Sequence, residues 1–436
     1  MKLIKQLLIF SVLLIVLLVS TTIVVADGCS GLIATGTCVK DERSIIVKNR
    51  HLNENNQIPI FGQGTYNYWG IGDGVNSFCR MGLNEKGLAI ANFNKPRDEL
   101  MNGSWEFTSD HSSTSEDNDI QWVLGEYSTV KEAALWLAQH AFFPCQWIII
   151  SQNSGVGAVV AMDSNYHSNI SWINNTWAAI GNVWYCEQQN SINTQRIEYL
   201  INNLLRDQDT IQIEDTVRLL CRDIKASDSN KSEPVGYIGN YSTSGLCPST
   251  SNSGISIISG DDSFDGALSM AWIGIGQTTH LSAFFPLGAS YVHTLDDIPD
   301  KWTSGNGLEK YVDIKQSYAQ ESPGVYYRGR VHEIHNYTLP IQEMIFERYN
   351  NLMDTVKNSS NSYEVKEKMR EYANNTFMVG LQAYIDENPE VSEIVVPQDI
   401  VFPDETISLD FNLVIILAIF ATISIIAYLC IHLLLR

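Results

Sequence analysis

Two apolar runs, one at each end, constrain this chain most. Lys2 and Lys5 precede an uncharged run from Leu7 to Val25, and Val24 with Ala26 then supplies a small-residue exit before Asp27-Gly28-Cys29. A basic lead, an apolar stretch and a small-residue exit make a secretory signal. Residues 1–26 therefore read as a signal peptide and 27–28 as a short propeptide; the alternative is a retained N-terminal membrane helix. At the other end, Phe411 to Leu435 contains no Asp, Glu, Lys or Arg. At a rise of about 1.5 Å per residue, about 20 residues cross a hydrocarbon core, so 411–435 reads as one transmembrane helix. Asp404, Glu405 and Asp410 precede it and Arg436 follows it, which agrees with an exported N-terminal side. The expectation is a single-pass cell-membrane protein with an extracellular N-terminal domain.

The remainder is long enough to bury a sizeable core. The formal charge of −21 argues against a nucleic-acid partner, because phosphate binding needs a basic surface; its plainer consequence is solubility. Of 8 cysteines, Cys430 lies in the apolar C-terminal run. Setting Cys29 aside leaves Cys38, Cys79, Cys145, Cys186, Cys221 and Cys247, an even set in an exported domain, where disulfides are allowed and the connectivity stays open. No CxxC or Cys/His cluster has zinc spacing, and no metal or cofactor is implied. His332-Glu333-Ile334-His335 is one residue short of the zinc-protease pattern and reads as a polar surface segment. Eight N-x-Ser/Thr triplets, such as those at Asn102 and Asn336, permit glycosylation. A homo-oligomer is compatible with the sequence.

Along the chain, Ser30 to Gly36 and Ser44 to Asn49 flank the polar Lys40-Asp41-Glu42, as in a hairpin. Gly87 to Phe93 is another strand, and Asn102 to Asn118 reads as a surface loop or lid. Thr129 with Glu132 is a capping box opening a helix to about His140. Trp147 to Ser151 and Gly157 to Met162 form a second hairpin. Ser191 caps a helix through Leu205, Ile213 to Ile224 forms another, and Ser227 to Ser253 is a long polar loop. Ile255 to Ile258 and Leu268 to Ile275 return to strand character. From Pro340 to Asn388 the apolar spacing is helical, and the proline- and acid-containing segment 389–410 reads as a stalk. Strand pairs interleaved with helices suggest sheets covered by helices.

Cys29-Ser30-Gly31-Leu32, followed by Ser44 to Arg50, resembles the start of a cysteine N-terminal-nucleophile (Ntn) hydrolase. The matching families are choloylglycine hydrolases and penicillin V acylases, the acyl-CoA:6-aminopenicillanate acyltransferases and related dipeptidases. Their "Met-Asn-Glu-x-Gly-Leu" box corresponds here to Leu83-Asn84-Glu85-Lys86-Gly87-Leu88, continuing to Asn94. Gly181-Asn182-Val183 with the helix after Ser191, and Ser282 to Leu287, resemble later segments of the same families.

The resemblance implies an α+β, four-layer αββα sandwich, placed over residues 29–338 and followed by the helical extension over 339–388, the acidic stalk and the membrane helix already read from the sequence. It also implies a small-molecule amide substrate, cleaved or transferred through an acyl-Cys29 thioester. The chemistry is sound, since a terminal Cys carries its own base: a thiol of pKa about 8.5 beside an α-amine of pKa about 7.7–8.0. By resemblance, Cys29 is freed autocatalytically by attack of its sulfur on the Gly28 carbonyl. Asn94 matches the side-chain oxyanion donor, and Asn182 the second Asn, which holds the acyl-enzyme and amine. Lys48 stands where many members have Arg, and Arg196 matches a late Arg. His51 takes the place of the usual Asp that orients the Cys amine; Asn53 or Asp73 are alternatives for that role. A dipeptidase-like peptidase and a catalytically inactive surface-binding domain are the other readings.

Overall fold

In the computed structural model the described residues are 29–51, 57–73, 79–94, 106–110, 119–152, 155–187, 191–221, 240–241, 246, 251–259, 264, 266–275, 283–290, 308–322, 325–356, 359 and 361–386. The signal segment 1–26, the propeptide 27–28, the stalk 389–410 and the apolar run 411–435 lie outside them, as do Cys247 and Asn53. Among the described residues, no helix is long and apolar enough to cross a membrane.

The strands are β1 (Ser30–Thr35), β2 (Ser44–His51), β3 (Gln57–Gln63), β4 (Asn67–Asp73), β5 (Cys79–Asn84), β6 (Ala89–Asn94), β7 (Phe107–Thr108), β8 (Cys145–Ile150), β9 (Val156–Met162), β10 (His167–Asn174), β11 (Trp177–Ile180), β12 (Asn240–Tyr241), β13 (Ser251–Ile258), β14 (Met270–Ile275), β15 (Phe285–Gly288), β16 (Gln320–Ser322) and β17 (Val325–Tyr327). They form a six-stranded sheet, β11-β1-β2-β13-β14-β15, an eight-stranded sheet, β3-β4-β5-β6-β8-β9-β10-β7, and a small sheet, β12-β17-β16. Every ladder between these strands is antiparallel. The expected hairpins β1/β2 and β8/β9 are both present. β13 begins at Ser251, inside the segment read as loop. Within the segment read as a lid, Phe107–Thr108 pairs with β10 instead.

The two large sheets stack face to face, and alternation along β1 shows how. A Cβ added at Gly31 would lie 2.6 Å from Phe93 Cζ on β6, and one added at Gly157 on β9 would lie 2.7 Å from Ile33 Cδ1. Side chains alternate across a strand, so the odd positions of β1 face the eight-stranded sheet. β8 is buried along its whole length because it is covered twice. Ile148 and Ile150 join the core between the sheets, while Trp147 and Ile149 join a second core. That second core packs under α1 (Asp119–Glu126) and α2 (Val130–His140). Thr129 caps α2, accepting from Glu132 N as its sequence pattern requires.

The outer face of the six-stranded sheet carries α3 (Ile192–Asp207) over β11 and β1, and a π-helical turn, Thr216–Cys221, over β2 and β13. Ser191 and Thr194 close the capping box of α3. The helices α4 (Leu308–Ala319), α5 (Arg328–Val356) and α6 (Ser362–Asp386) complete the layer. Trp272 of β14 meets Tyr349 of α5 edge-on at 4.7 Å, and Phe285 of β15 meets Phe377 of α6 at 5.2 Å. The boundary placed at 338/339 thus falls inside α5, and these helices share the main core with the sheets. His332 to His335 also lies in α5, with Ile334 and His335 buried and Glu333 exposed, so only part of it is the surface segment expected.

Gly31 admits no side chain where the sheets meet. Its Cβ would also lie 2.3 Å from Val47 O of the neighbouring strand. Gly31→Ala is expected to overpack this site and destabilise the protein by about 1–3 kcal/mol. The check is the urea midpoint; no change would mean that the sheets separate there at little cost.

Candidate active site around Cys29

Cys29 immediately precedes β1, is 4% exposed and has a free thiol. It falls in the odd register of β1, the side that faces the eight-stranded sheet. Opposed residues of an antiparallel pair share a face. Ser30 pairs with Asn49 and Gly31 with Lys48, so one step further the register brings Arg50 alongside Cys29. On the other flank Gly31 pairs with Ile180, the last residue of β11, and Asn182 follows two residues later in the turn beyond that strand. The head of β1 therefore lies between a strand carrying two cations and a turn carrying an amide.

Lys48 is buried and reaches into the eight-stranded sheet, where its Nζ donates to Asn92 Oδ1 at 2.8 Å and lies 5.5 Å from the centre of the Phe93 ring. Arg50 is buried on the same face. Burial pushes the Cys79 thiol up to about 12, against a hydrogen bond to Met81 O and the charges of Lys48, Arg80 and Arg50. These cations therefore share one neighbourhood. Sequence reasoning passed over Arg50; period-two alternation would have singled it out, because Lys48 and Arg50 share a face and His51 does not.

His51 takes the opposite face with Asn49. Its Nε2 lies 3.1 Å from Leu246 O. The same carbonyl accepts from Ser30 Oγ at 3.2 Å and from Asn49 Nδ2 at 2.9 Å, while Asn49 Nδ2 also donates to Leu220 O at 2.8 Å. Leu246 thus pins the first hairpin from outside, and His51 belongs to that anchor. Asp73 ends β4.

Asn94 ends β6 opposite Cys145; its side chain lies outside the described ones. The box before it is a built turn. Asn84 is fully buried, its Nδ2 donates to Leu124 O and Tyr127 O, and its Oδ1 accepts from Lys86 N and Leu88 N. Gly87 has φ +81°, and a Cβ there would meet Ser269 Oγ at 2.5 Å, so only glycine suits the turn. Asn182 keeps its Oδ1 buried without a hydrogen-bond partner. Arg196 sits on α3, with its guanidinium 5.7 Å from the centre of the half-exposed Tyr199 ring. The structure thus puts Lys48 on the interlayer face that the register of Cys29 shares, leaves Asn182 in the turn after β11, ties His51 to the outer anchor and pairs Arg196 with a ring on its own helix.

Among the described residues no disulfide joins Cys38, Cys79, Cys145, Cys186 or Cys221 to one another. They sit on separate elements and have local company: Cys38 donates to Thr35 O, and Cys221 lies 3.7 Å from Ser256 Oγ. Burial raises the pKa of Cys38, of Cys145 and, to about 11, of Cys186. Protonated thiols are weak nucleophiles. Among the described residues no cluster of His, Cys, Asp and Glu could hold a metal ion.

No protein-family model matches the chain. No curated protein matches it either. Among solved structures, the chain is similar to an N-acylethanolamine-hydrolyzing acid amidase ortholog of Caenorhabditis elegans (16% identity, TM-score 0.31, covering 40% of this chain and 79% of that one). It is also similar to a mutant of the conjugated bile acid hydrolase of Clostridium perfringens (14% identity, TM-score 0.38, covering 60% and 92%). A third similar structure is the penicillin V acylase of Agrobacterium tumefaciens (14% identity, TM-score 0.35, covering 60% and 87%). At these scores the superpositions are loose.

Proposed function

We propose that this chain is an Ntn-type thiol amidohydrolase or acyltransferase with Cys29 as its nucleophile, held outside the cell by the C-terminal apolar run. The observation that carries the reading is the place of Cys29. It is buried at the head of β1, one residue beyond the Ser30↔Asn49 pair and two beyond Gly31↔Ile180, so Arg50 of β2 and the turn carrying Asn182 follow on its two flanks.

Cleavage of the Gly28–Cys29 peptide bond frees an α-amine on the same residue as the thiol. That amine takes the thiol proton as Sγ attacks the substrate carbonyl carbon. The nearby cations favour the anionic sulfur and the developing oxyanion. The proton then passes to the departing amine, the C–N bond breaks, and an acyl-Cys29 thioester remains. Water, or an acceptor amine in the transferase case, attacks the thioester and restores the thiol. Asn182 Oδ1, buried and unpartnered, suits an N–H donor such as the scissile amide.

N-terminal sequencing of the purified protein should return Cys29 as the first residue. Incubation with a mixed amide library should leave one acyl adduct, found by mass spectrometry on Cys29. A fully active chain beginning at Asp27 would rule the mechanism out. The second reading, an inactive Ntn-fold surface-binding domain, is favoured by His51, which supplies no carboxylate and is turned to Leu246 O. That reading predicts no adduct.

A further inference from the structure

Gln146 has no place in the sequence reading of the site, yet the structure ties it to the turn that carries Asn182. It lies on β8, opposite Phe93 of β6 and Ala161 of β9, and is fully buried. Phe93 is the ring that packs beneath Gly31, so Gln146 stands at the level of the strand head. Its Nε2 lies 2.6 Å from Val183 O and 3.3 Å from Gly181 O, and its Oε1 accepts from Tyr185 N at 2.9 Å. Two carbonyls call for the NH₂ and one N–H calls for the oxygen, so the partners themselves fix the orientation of the amide.

Every contact falls on the backbone of one turn, 181–185, and the two accepting carbonyls flank Asn182. From the other side the cap of α3 closes on the same turn: a Cβ at Gly181 would lie 3.1 Å from Ser191 Oγ and 3.3 Å from Thr194 Cγ2. Within this clamp Asn182 contributes no internal hydrogen bond through its buried Oδ1. The backbone is held, and the side-chain oxygen is left for something else.

We infer that Gln146 is a positioning residue that fixes the 181–185 turn so that Asn182 is presented to Cys29. The inference rests on the reading of Cys29 as nucleophile, but its geometry can be tested without turnover. Gln146→Glu keeps the size and the acceptor for Tyr185 N but replaces both donors by lone pairs facing carbonyl oxygens. Gln146→Leu removes all three contacts.

Two measurements decide it. In the full-length protein, Asn182→Cys should form a disulfide with Cys29 when treated with oxidised glutathione, because residue 29 and the turn that follows β11 continue from the same end of one antiparallel pair, whose opposed Cα atoms lie within disulfide range, about 4.4–6.8 Å. Adding Gln146→Glu or Gln146→Leu should cut that yield, while far-ultraviolet circular dichroism stays native and iodoacetamide still alkylates Cys29. A disulfide yield indifferent to Gln146, or one that never forms, overturns the inference.

With acyl-4-nitroanilides as substrates, Gln146→Glu should lower kcat by about 10²-fold, the scale of a 1 Å misplacement, with little change in KM. The pair with Asn182→Ala should be no slower than Asn182→Ala alone, because both changes remove one function. Losses that multiply would overturn it. If Cys29→Ala still hydrolyses the anilides, the nucleophile reading fails, and the disulfide measurement alone decides the role of Gln146.

Discussion

Cys29→Ala should abolish turnover, and the chain should keep its residues 27–28. Removing a nucleophile that works as a unit with its base typically costs about 10⁴–10⁶-fold in rate. Here the effect is doubled in kind, because the same sulfur is assigned the cut that exposes the amine. Cys29→Ser separates the two steps: a hydroxyl fits the site but ionises far less readily than a thiol. It should mature slowly, if at all, and turn over below detection. Neither change should unfold the protein. Cys29 precedes β1 rather than pairing within it, and a single small side chain is lost from a large core. The measurement is intact-mass spectrometry for processing, alongside hydrolysis of acyl-4-nitroanilides. Substantial turnover by Cys29→Ala would remove the residue from the mechanism. Background labelling by thiol reagents should stay low, since burial raises the pKa of Cys38, Cys79, Cys145 and Cys186.

Local signals were the legible part of this chain. The first hairpin, the cap of α2, the β8/β9 pair and the cap of α3 each follow from patterns a few residues long, and each is present. The sequence places Cys29 at the head of a strand, but not the face on which its neighbours fall. That depends on the register Ser30↔Asn49, set by a connection containing two 3₁₀ turns, with Asp41 and Glu42 at positive φ. One residue of slip exchanges the roles of Arg50 and His51. The start of α5 was illegible for a different reason. Pro340 reads as a first helical residue, but the helix extends upstream to Arg328, because Val331 and Ile334 bury against Ala319 of α4. Gln146 left no pattern at all, since its partners are backbone groups more than thirty residues away.

Arg43→Ala should be among the most destabilising single changes in the protein. Arg43 stands between the 3₁₀ connection and β2 and is buried. Its Nε donates to Ser259 O at 2.5 Å, Nη2 to Leu268 O at 2.6 Å and Nη1 to Tyr349 OH at 2.8 Å. One planar fork therefore ties the first hairpin to the end of β13, the approach to β14 and the C-terminal half of α5. Tyr349 in turn packs on Trp272 and Tyr372, and burial raises its pKa although Arg43 opposes this. Lys40, Asp41, Glu214 and Asp354 line the same small cavity as Arg43 and Tyr349. Deleting the side chain leaves two carbonyls without their donors at a junction of three elements. Each unsatisfied buried group costs about 1–3 kcal/mol, and two such carbonyls are left here. Urea unfolding should show a loss of about 2–6 kcal/mol for Arg43→Ala, from the two carbonyls left unsatisfied. Arg43→Lys keeps the charge but cannot reach three acceptors in one plane, so it should recover only part of the loss. Tyr349→Phe keeps the ring contacts and removes one acceptor, which should cost about 1 kcal/mol. Since β2 also carries Lys48 and Arg50, a loosened Arg43 fork should lower activity as well, with Arg43→Lys intermediate in both measurements. A wild-type urea midpoint for Arg43→Ala would mean that the C-terminal helices hold to the sheet through their aromatic contacts alone.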